Sequence, residues 1–343
     1  MTVSVPAGAP AWLGEAHEGP HEPDDVARWT ENWLSYLWSP DVGVGVYFHI
    51  CRRPGSLGIY EELFNVFLPG DRFLTSRGFA PVSPGGPKVA GVSFMCMEPF
   101  TSWDMDFRGA ARSVTGAELR DGPLVDGPYL DVDFHMRTTS LGPPFDYGKA
   151  HLDQAWGSGH YEQHHEAVGH LVLGDERIEL RGTGLRDHSW GARDWSGVGD
   201  TTWYHAQFPA SGRTFMLVSV PGRPPAQPFV YAVLGDRDGM HQVQVVEVPE
   251  VTAIFQDGTK TGNALRYSLD FVGAGRTEHI DAEIIQSLPM AFVSGTQIAV
   301  GAHREPEATH DNIETMTRFT WDGEVGYGMC TACVDFEGPH SRR

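Results

Sequence analysis

Long apolar runs are missing from this 343-residue chain: no window approaches the roughly 20 consecutive apolar residues that a membrane-spanning helix needs, so no stable membrane insertion is expected. Residues Met1 to Pro10 have neither the basic start nor the apolar core of an export signal, and a cytoplasmic location is expected. Cysteine is scarce. The four residues Cys51, Cys96, Cys330 and Cys333 are too few and too scattered for the disulfide framework of a small secreted domain, and reduced thiols are expected. Positive charge is short as well: Lys+Arg number 25 against 45 Asp+Glu, a formal net charge of -20. A phosphate backbone or an anionic lipid surface would repel such a protein, so no nucleic-acid partner is expected. The sequence also lacks G-x-G-x-x-G after a strand, G-x-x-x-x-G-K-[ST] and G-x-S-x-G, which counts against the nucleotide, phosphate-loop and hydrolase classes.

What is present is the composition of an all-β chain. Glycine, at 41, and proline, at 24, separate short runs rich in Val, Phe, Tyr, Trp and Thr. The length suits two domains, each able to bury a core. Residues 1–30, rich in Pro, Gly, Glu and His, read as an N-terminal arm. Strands are expected at 33–38, 44–50, 60–68, 89–97, 101–108, 129–137, 166–173 and 177–185, and a comparable set runs from Trp203 to Trp321. A helix over 25–38 is the rival reading, because Val26, Trp29, Trp33 and Leu37 also fall at helical spacing. In the run 130–136, Leu130, Val132, Phe134 and Met136 alternate with Asp131, Asp133 and His135, the pattern of a half-buried barrel strand. Antiparallel meanders this long close into barrels or stack as sandwiches, since an open sheet would leave sticky edges. The Pro- and Gly-rich stretch 141–159 reads as the connection, which gives a first domain over 31–160 and a second over 161–343, with a central motif at 182–195 between them.

That motif is the densest polar and aromatic cluster: Arg186, Asp187, His188, Ser189, Trp190, Arg193, Asp194 and Trp195, introduced by Gly182 and Gly184. Glycine within a strand marks a bulge or a close approach. Without a bulge, Arg186, His188 and Trp190 share one face while Asp187 and Ser189 share the other. A carboxyl group set against indoles in an apolar lumen would have a raised pKa, which makes Asp187 a candidate general acid, with Trp190 and Trp195 to stabilise a carbocation. Pairing with Arg186 or Arg193 would lower that pKa instead, and two Arg with two Asp could also form a network at a barrel corner. In the run 160–165, His160, Glu162 and His164 share a face that could poise a water. Their spacing lacks the closed pattern of a zinc motif, and neither a metal nor a cofactor is expected. Cys330 and Cys333 read as buried strand residues.

The run Gly182 to Trp195 resembles the central motif of the carotenoid hydratase (hydroxyneurosporene synthase) and AttH-like superfamily, whose members carry two lipocalin-like domains. The resemblance extends to residues 160–163, the hairpin of residues 33–47, Glu98-Pro99 followed by Trp103, and the stretch 319–328. It implies an all-β protein of two consecutive lipocalin-like (calycin) antiparallel β-barrels. It also implies cofactor-independent chemistry on hydrophobic substrates: water addition to a C=C bond, cyclisation or pericyclic ring closure. The D-H-x-W-G element falls on Asp187, His188, Trp190 and Gly191, and the resemblance suggests the aspartate as proton donor. The chain departs from the carotenoid hydratases in Ser189 and in a second R-D-W at 193–195.

The reading that follows is a hydratase or cyclase acting on an isoprenoid, polyketide or steroid-like substrate. Asp187 would be the acid, Glu162 or His188 would handle water or the final proton, and Trp190, Trp195 and Trp203 would line the cation. A pericyclase or isomerase using Tyr161, Gln163 or Tyr204 to polarise a polyene is one alternative, and a non-enzymatic carrier of a hydrophobic small molecule is another. Either a monomer or a homodimer is compatible with the sequence.

Overall fold

The computed structural model describes residues 8–335 apart from 53–55, 83–85, 90, 122–126, 149–150, 152–153, 155–158, 194–199, 222–227, 237–238, 249–254, 257–258, 261–265, 274, 295–296 and 302–309. It divides into two units, Met1–Val114 with Gly127–Arg193, and Thr115–Asp126 with Asp194–Arg343.

In the first unit the strands are β1 (Trp29–Ser39), β2 (Val44–Arg52), β3 (Ile59–Leu68), β4 (Arg72–Pro81), β5 (Lys88–Val89), β6 (Val92–Glu98), β7 (Ser102–Thr115), β8 (Tyr129–Ser140), β9 (Gly159–Leu173) and β10 (Glu176–Ala192). Neighbours follow the order β4-β3-β2-β1-β10-β9-β8-β7, and a further β4–β7 pairing closes the ring, with the β5–β6 hairpin carried on β7. Closure removes edges that would otherwise seek partners. Alternation fills the ring: Val44, Val46, Phe48 and Ile50 of β2 enter a core shared with Trp33, Phe64, Phe94, Phe107 and Phe134. The Phe64 and Phe107 rings stack at 4.2 Å across it.

Residues 29–38 are strand and not the rival helix, because their backbone is paired on both sides, Trp38 to Gly45 of β2 and to Thr183 of β10. Strand β4 was not anticipated; outside its buried Phe73-Leu74-Thr75 its residues are half-exposed or exposed, and they carry little apolar signal. The domain boundary lies at Arg193/Asp194 and not near residue 160. The reason is hydrogen bonding: β9 pairs with β8 and β10 returns to β1, so a cut at 160 would open the ring. The described part of the central motif therefore lies within the first unit.

The second unit holds α1 (Gly116–Asp121), β11 (Thr201–Phe208), β12 (Arg213–Val220), β13 (Phe229–Asp236), β14 (Gly239–Val245), the small pair β15 (Phe255–Gln256) and β16 (Thr259–Lys260), β17 (Arg266–Gly273), β18 (Arg276–Ser294), β19 (Gln297–Val300), β20 (His310–Trp321) and β21 (Glu324–Asp335). Its order β17-β14-β13-β12-β11-β21-β20-β18 closes through a β17–β18 pairing. Phe208, Phe215, Phe271, Phe319 and Trp321 pack its core. The protein is thus all-β, two consecutive closed antiparallel sheets of lipocalin type. Among the described residues no helix is long and apolar enough to cross a membrane. The four cysteines form no disulfide, and Cys330 and Cys333 are buried on β21.

Candidate functional site

A strand paired on both sides presents alternate side chains to opposite faces, and β10 does this through the whole described motif. Its register runs without a shift: Trp33 stands beside His188, which stands beside Tyr161, and Leu34 beside Asp187, which stands beside Glu162. There is no bulge in these ladders. The glycines mark close approach instead, since a Cβ on Gly182 or Gly184 would come within 1.8 Å or 1.7 Å of the Trp38 or Tyr36 carbonyl oxygen. Arg186, His188 and Trp190, with Tyr161 and Gln163, therefore lie on the side of Trp33, toward the core of the ring. Asp187 and Ser189 lie on the other side with His160 and Glu162, and all four are buried.

On this outer face Nε2 of His160 hydrogen-bonds Oδ2 of Asp187 and lies 3.4 Å from Oε1 of Glu162. The Tyr147 hydroxyl donates to the same Glu162 oxygen, and Ser189 Oγ donates to Oδ1 of Asp187 at 3.2 Å. The rings of Tyr147 and His151 flank the imidazole at 4.4 Å and 5.3 Å. Burial alone would strip His160 of its proton, but the charges and hydrogen bonds of Asp187 and Glu162 outweigh it and push its pKa up to about 9. Asp187 is the mirror case: burial pushes it up, and the charge and hydrogen bond of His160, with the charges of Arg193 and His188, hold it below the usual carboxylate range. Glu162 is raised, by burial first and by the charge of Asp187, against the pull of His160 and Tyr147. His49, buried on the same side, is pushed down to about 4.

Both carboxylates face Nε2, so that nitrogen carries a proton. Nδ1 of His160 is buried without a hydrogen-bond partner among the described residues, as is Oε2 of Glu162. An imidazolium held at Nε2 and uncommitted at Nδ1 can pass the second proton on, and a raised carboxyl beside it can receive or return one.

The inner face is organised differently. Arg186 stacks on Trp103 at 3.6 Å, shares Gln163 Oε1 through Nε and Nη2, and pairs with Glu18 of the arm at 2.5 Å. Glu18 also accepts from Trp103 Nε1 at 2.7 Å and from the Tyr161 hydroxyl at 2.9 Å. His188 Nδ1 meets the carbonyl oxygen of His17 at 2.8 Å, and Trp190 stacks on His21 at 3.7 Å.

The structure thus brings Asp187, Glu162 and the charge of Arg193 together, and sets Arg186, His188, Trp190, Tyr161 and Gln163 across the strand from them. Two expectations are corrected here. Asp187 is not set against Trp190, and its pKa is lowered, by His160 chiefly and not by a clamp from Arg186. Tyr204 on β11 belongs to the core of the second sheet, tilted against Tyr267 at 5.5 Å, while Trp203 is only half-buried on the strand's other face beside His205. Trp195 lies outside the described residues. Sequence reasoning missed Glu18, His21 and Glu31 on and beside the arm, and Tyr147 and His151 in the stretch taken for a connection. Among the described residues, two sets of nitrogen and carboxylate atoms have the proximity to hold a metal ion, His160 with Glu162 and Asp187, and His21 with Glu31 and His188.

An AttH-like protein from Nitrosomonas europaea matches at TM-score 0.54 and 14% identity, over 96% of this chain and 98% of its own. Kievitone hydratase from Nectria haematococca matches at TM-score 0.61 and 11% identity, over 97% of this chain and 96% of its own. CghA, in its complex with Sch210972, matches at TM-score 0.60 and 14% identity, over 97% and 94%. At such identities the likeness is one of fold. By sequence, the chain belongs to the family described as Domain of unknown function (DUF7064), whose model matches residues 14–335. No curated protein matches the sequence.

Proposed function

We propose that the protein is an enzyme of the lyase or isomerase type, a hydratase or cyclase acting on a C=C bond of a hydrophobic substrate, with His160, Glu162 and Asp187 as its acid–base centre. One observation carries the reading: a buried imidazole whose Nε2 lies between two carboxylates and whose Nδ1 has no hydrogen-bond partner among the described residues. Kievitone hydratase and CghA share the fold alike, so the choice between hydration and cyclisation rests on the site and not on the fold.

In this reading Nδ1–H of His160 protonates the alkene carbon, and the electron pair of the C=C bond forms the new C–H bond. Water attacks the cation at the adjacent carbon, and the proton it sheds returns to His160 Nδ1 or to Glu162. If a second C=C bond attacks instead, a ring forms and the same groups take the final proton. Asp187 acts through His160, keeping the imidazole charged and oriented, rather than as the donor itself. The substrate class is isoprenoid, polyketide or steroid-like.

The test is turnover in deuterium oxide, beginning with kievitone and a panel of prenylated phenols and carotenes. Wild-type protein is expected to give product with deuterium on the former alkene carbon, and His160→Gln to lose at least a hundredfold in rate with its fold intact. Product without deuterium, or full turnover by His160→Gln, overturns the reading.

A further inference from the structure

Across β10 from that centre, three ligand-type atoms converge that the acid–base reading does not use: Nδ1 of His21, Oε1 of Glu31 and Nε2 of His188, all within 4.8 Å of one another. The carboxylate oxygen lies 2.7 Å from the first nitrogen and 3.2 Å from the second. Ligands about 2.1 Å from a common ion stand roughly 3.0–3.4 Å apart at octahedral to tetrahedral angles, so the cluster has nearly the spacing of a shared ion.

The hydrogen bonding around it points the same way. A carbonyl oxygen can only accept, so Nδ1 of His188 donates to the His17 carbonyl, and in the neutral ring Nε2 turns a lone pair toward Glu31. Two lone pairs face to face repel unless a proton or a metal ion stands between them. An imidazole fixed through Nδ1–H to a backbone carbonyl is also the usual way a protein orients a metal-binding Nε2. Glu31 supplies a second, independent observation. Its side chain is wholly buried; Oε1 takes the backbone N–H of His21 at 2.9 Å, while Oε2 has no hydrogen-bond partner among the described residues, with the Arg52 guanidinium 3.8 Å away. Indole rings wall the cluster, Trp33 stacked on His188 at 4.8 Å and Trp190 on His21 at 3.7 Å.

We infer that His21, Glu31 and His188 form a binding site for a divalent transition-metal ion of the Zn(II) or Fe(II) class. Two imidazoles and one carboxylate suit those ions, whereas Ca(II) and Mg(II) call for oxygen donors, and three protein ligands leave positions open. Glu31 and His188 stand on the paired strands β1 and β10, and His21 comes from the arm, so the ion would latch the arm to the ring. The site is independent of the acid–base reading.

Protein stripped with a chelator is titrated with Co(II), read by its visible d–d absorption, and with Zn(II) against a chromophoric chelator. The expected result is one equivalent bound, with Zn(II) raising Tm and slowing tryptic cleavage at the exposed Arg28. Glu31→Gln and His21→Ala should each weaken binding at least tenfold, while His279→Ala, at an exposed position of β18, should not. His21 lies outside the strands, so His21→Ala keeps the test valid if Glu31→Gln disturbs the fold. No stoichiometric binding by the wild type, or equal binding by wild type and both variants, overturns the inference.

Discussion

His160 is an ionised group kept charged where burial alone would neutralise it, and this makes it measurable. With a pKa of about 9 against an ordinary value of 6.5, its ring should stay an imidazolium in ¹⁵N spectra past pH 8 and titrate near pH 9. The folded pKa is the raised one, so the stability it contributes is full below about pH 6.5 and is lost as pH rises through about 9. Melting temperature should fall over that window in the wild type. In Asp187→Asn one of the two carboxylate charges is gone, burial gains ground, and the ring should titrate at least one unit lower; an unchanged titration would remove Asp187 from its positioning role. The sequence made some of this readable and hid the rest. Alternation alone puts His160 with Glu162 on one face and Asp187 with Ser189 on one face, because side-chain direction in a strand has period two. That the two faces are the same face depends on the register between β9 and β10, which joins residues 27 apart in the chain and leaves no local mark.

At the scale of elements, β10 works as a partition. Its inner side chains bind the arm and its outer ones hold the acid–base cluster, and strand periodicity enforces the separation. Gly184 keeps β10 against β1: an added Cβ would stand 1.7 Å from the Tyr36 carbonyl oxygen, so Gly184→Ala must push the strands apart. The expected cost is roughly 2–4 kcal/mol in urea unfolding, with the ring of β1 to β10 losing hydrogen-exchange protection first. The arm is the second element with a definite energetic role. Glu18→Gln leaves Arg186 buried without its counter-charge, and the loss should approach about 3–5 kcal/mol in the same measurement. A loss under about 1 kcal/mol would mean that Gln163 and the Trp103 ring suffice for the guanidinium. Nothing in residues 1–30 announces this, because an irregular segment lacks the periodicity by which strands are recognised, and its partners lie far along the chain.

At the scale of the molecule, the all-β character followed from alternation, turn residues and the cost of open edges, and two closed barrels rather than stacked sandwiches from the family resemblance. The boundary did not. Proline and glycine in 141–159 resemble a linker in composition, yet the chain returns from them to close the first ring, and only the pairing of β10 with β1 reveals it. A fragment ending near residue 158 should therefore aggregate, whereas one ending at residue 193 should keep the first ring's strands protected from exchange; equal behaviour would contradict the assignment. Closure between β1 and β10 also governs how the protein comes into being. Glu18 leaves the ribosome 168 residues before Arg186, an interval on the order of 10–30 s at ordinary rates of synthesis. Throughout it the nascent chain carries a carboxylate without its guanidinium and a first strand without its last, so a sheet with no edges once finished spends its synthesis as one that has them.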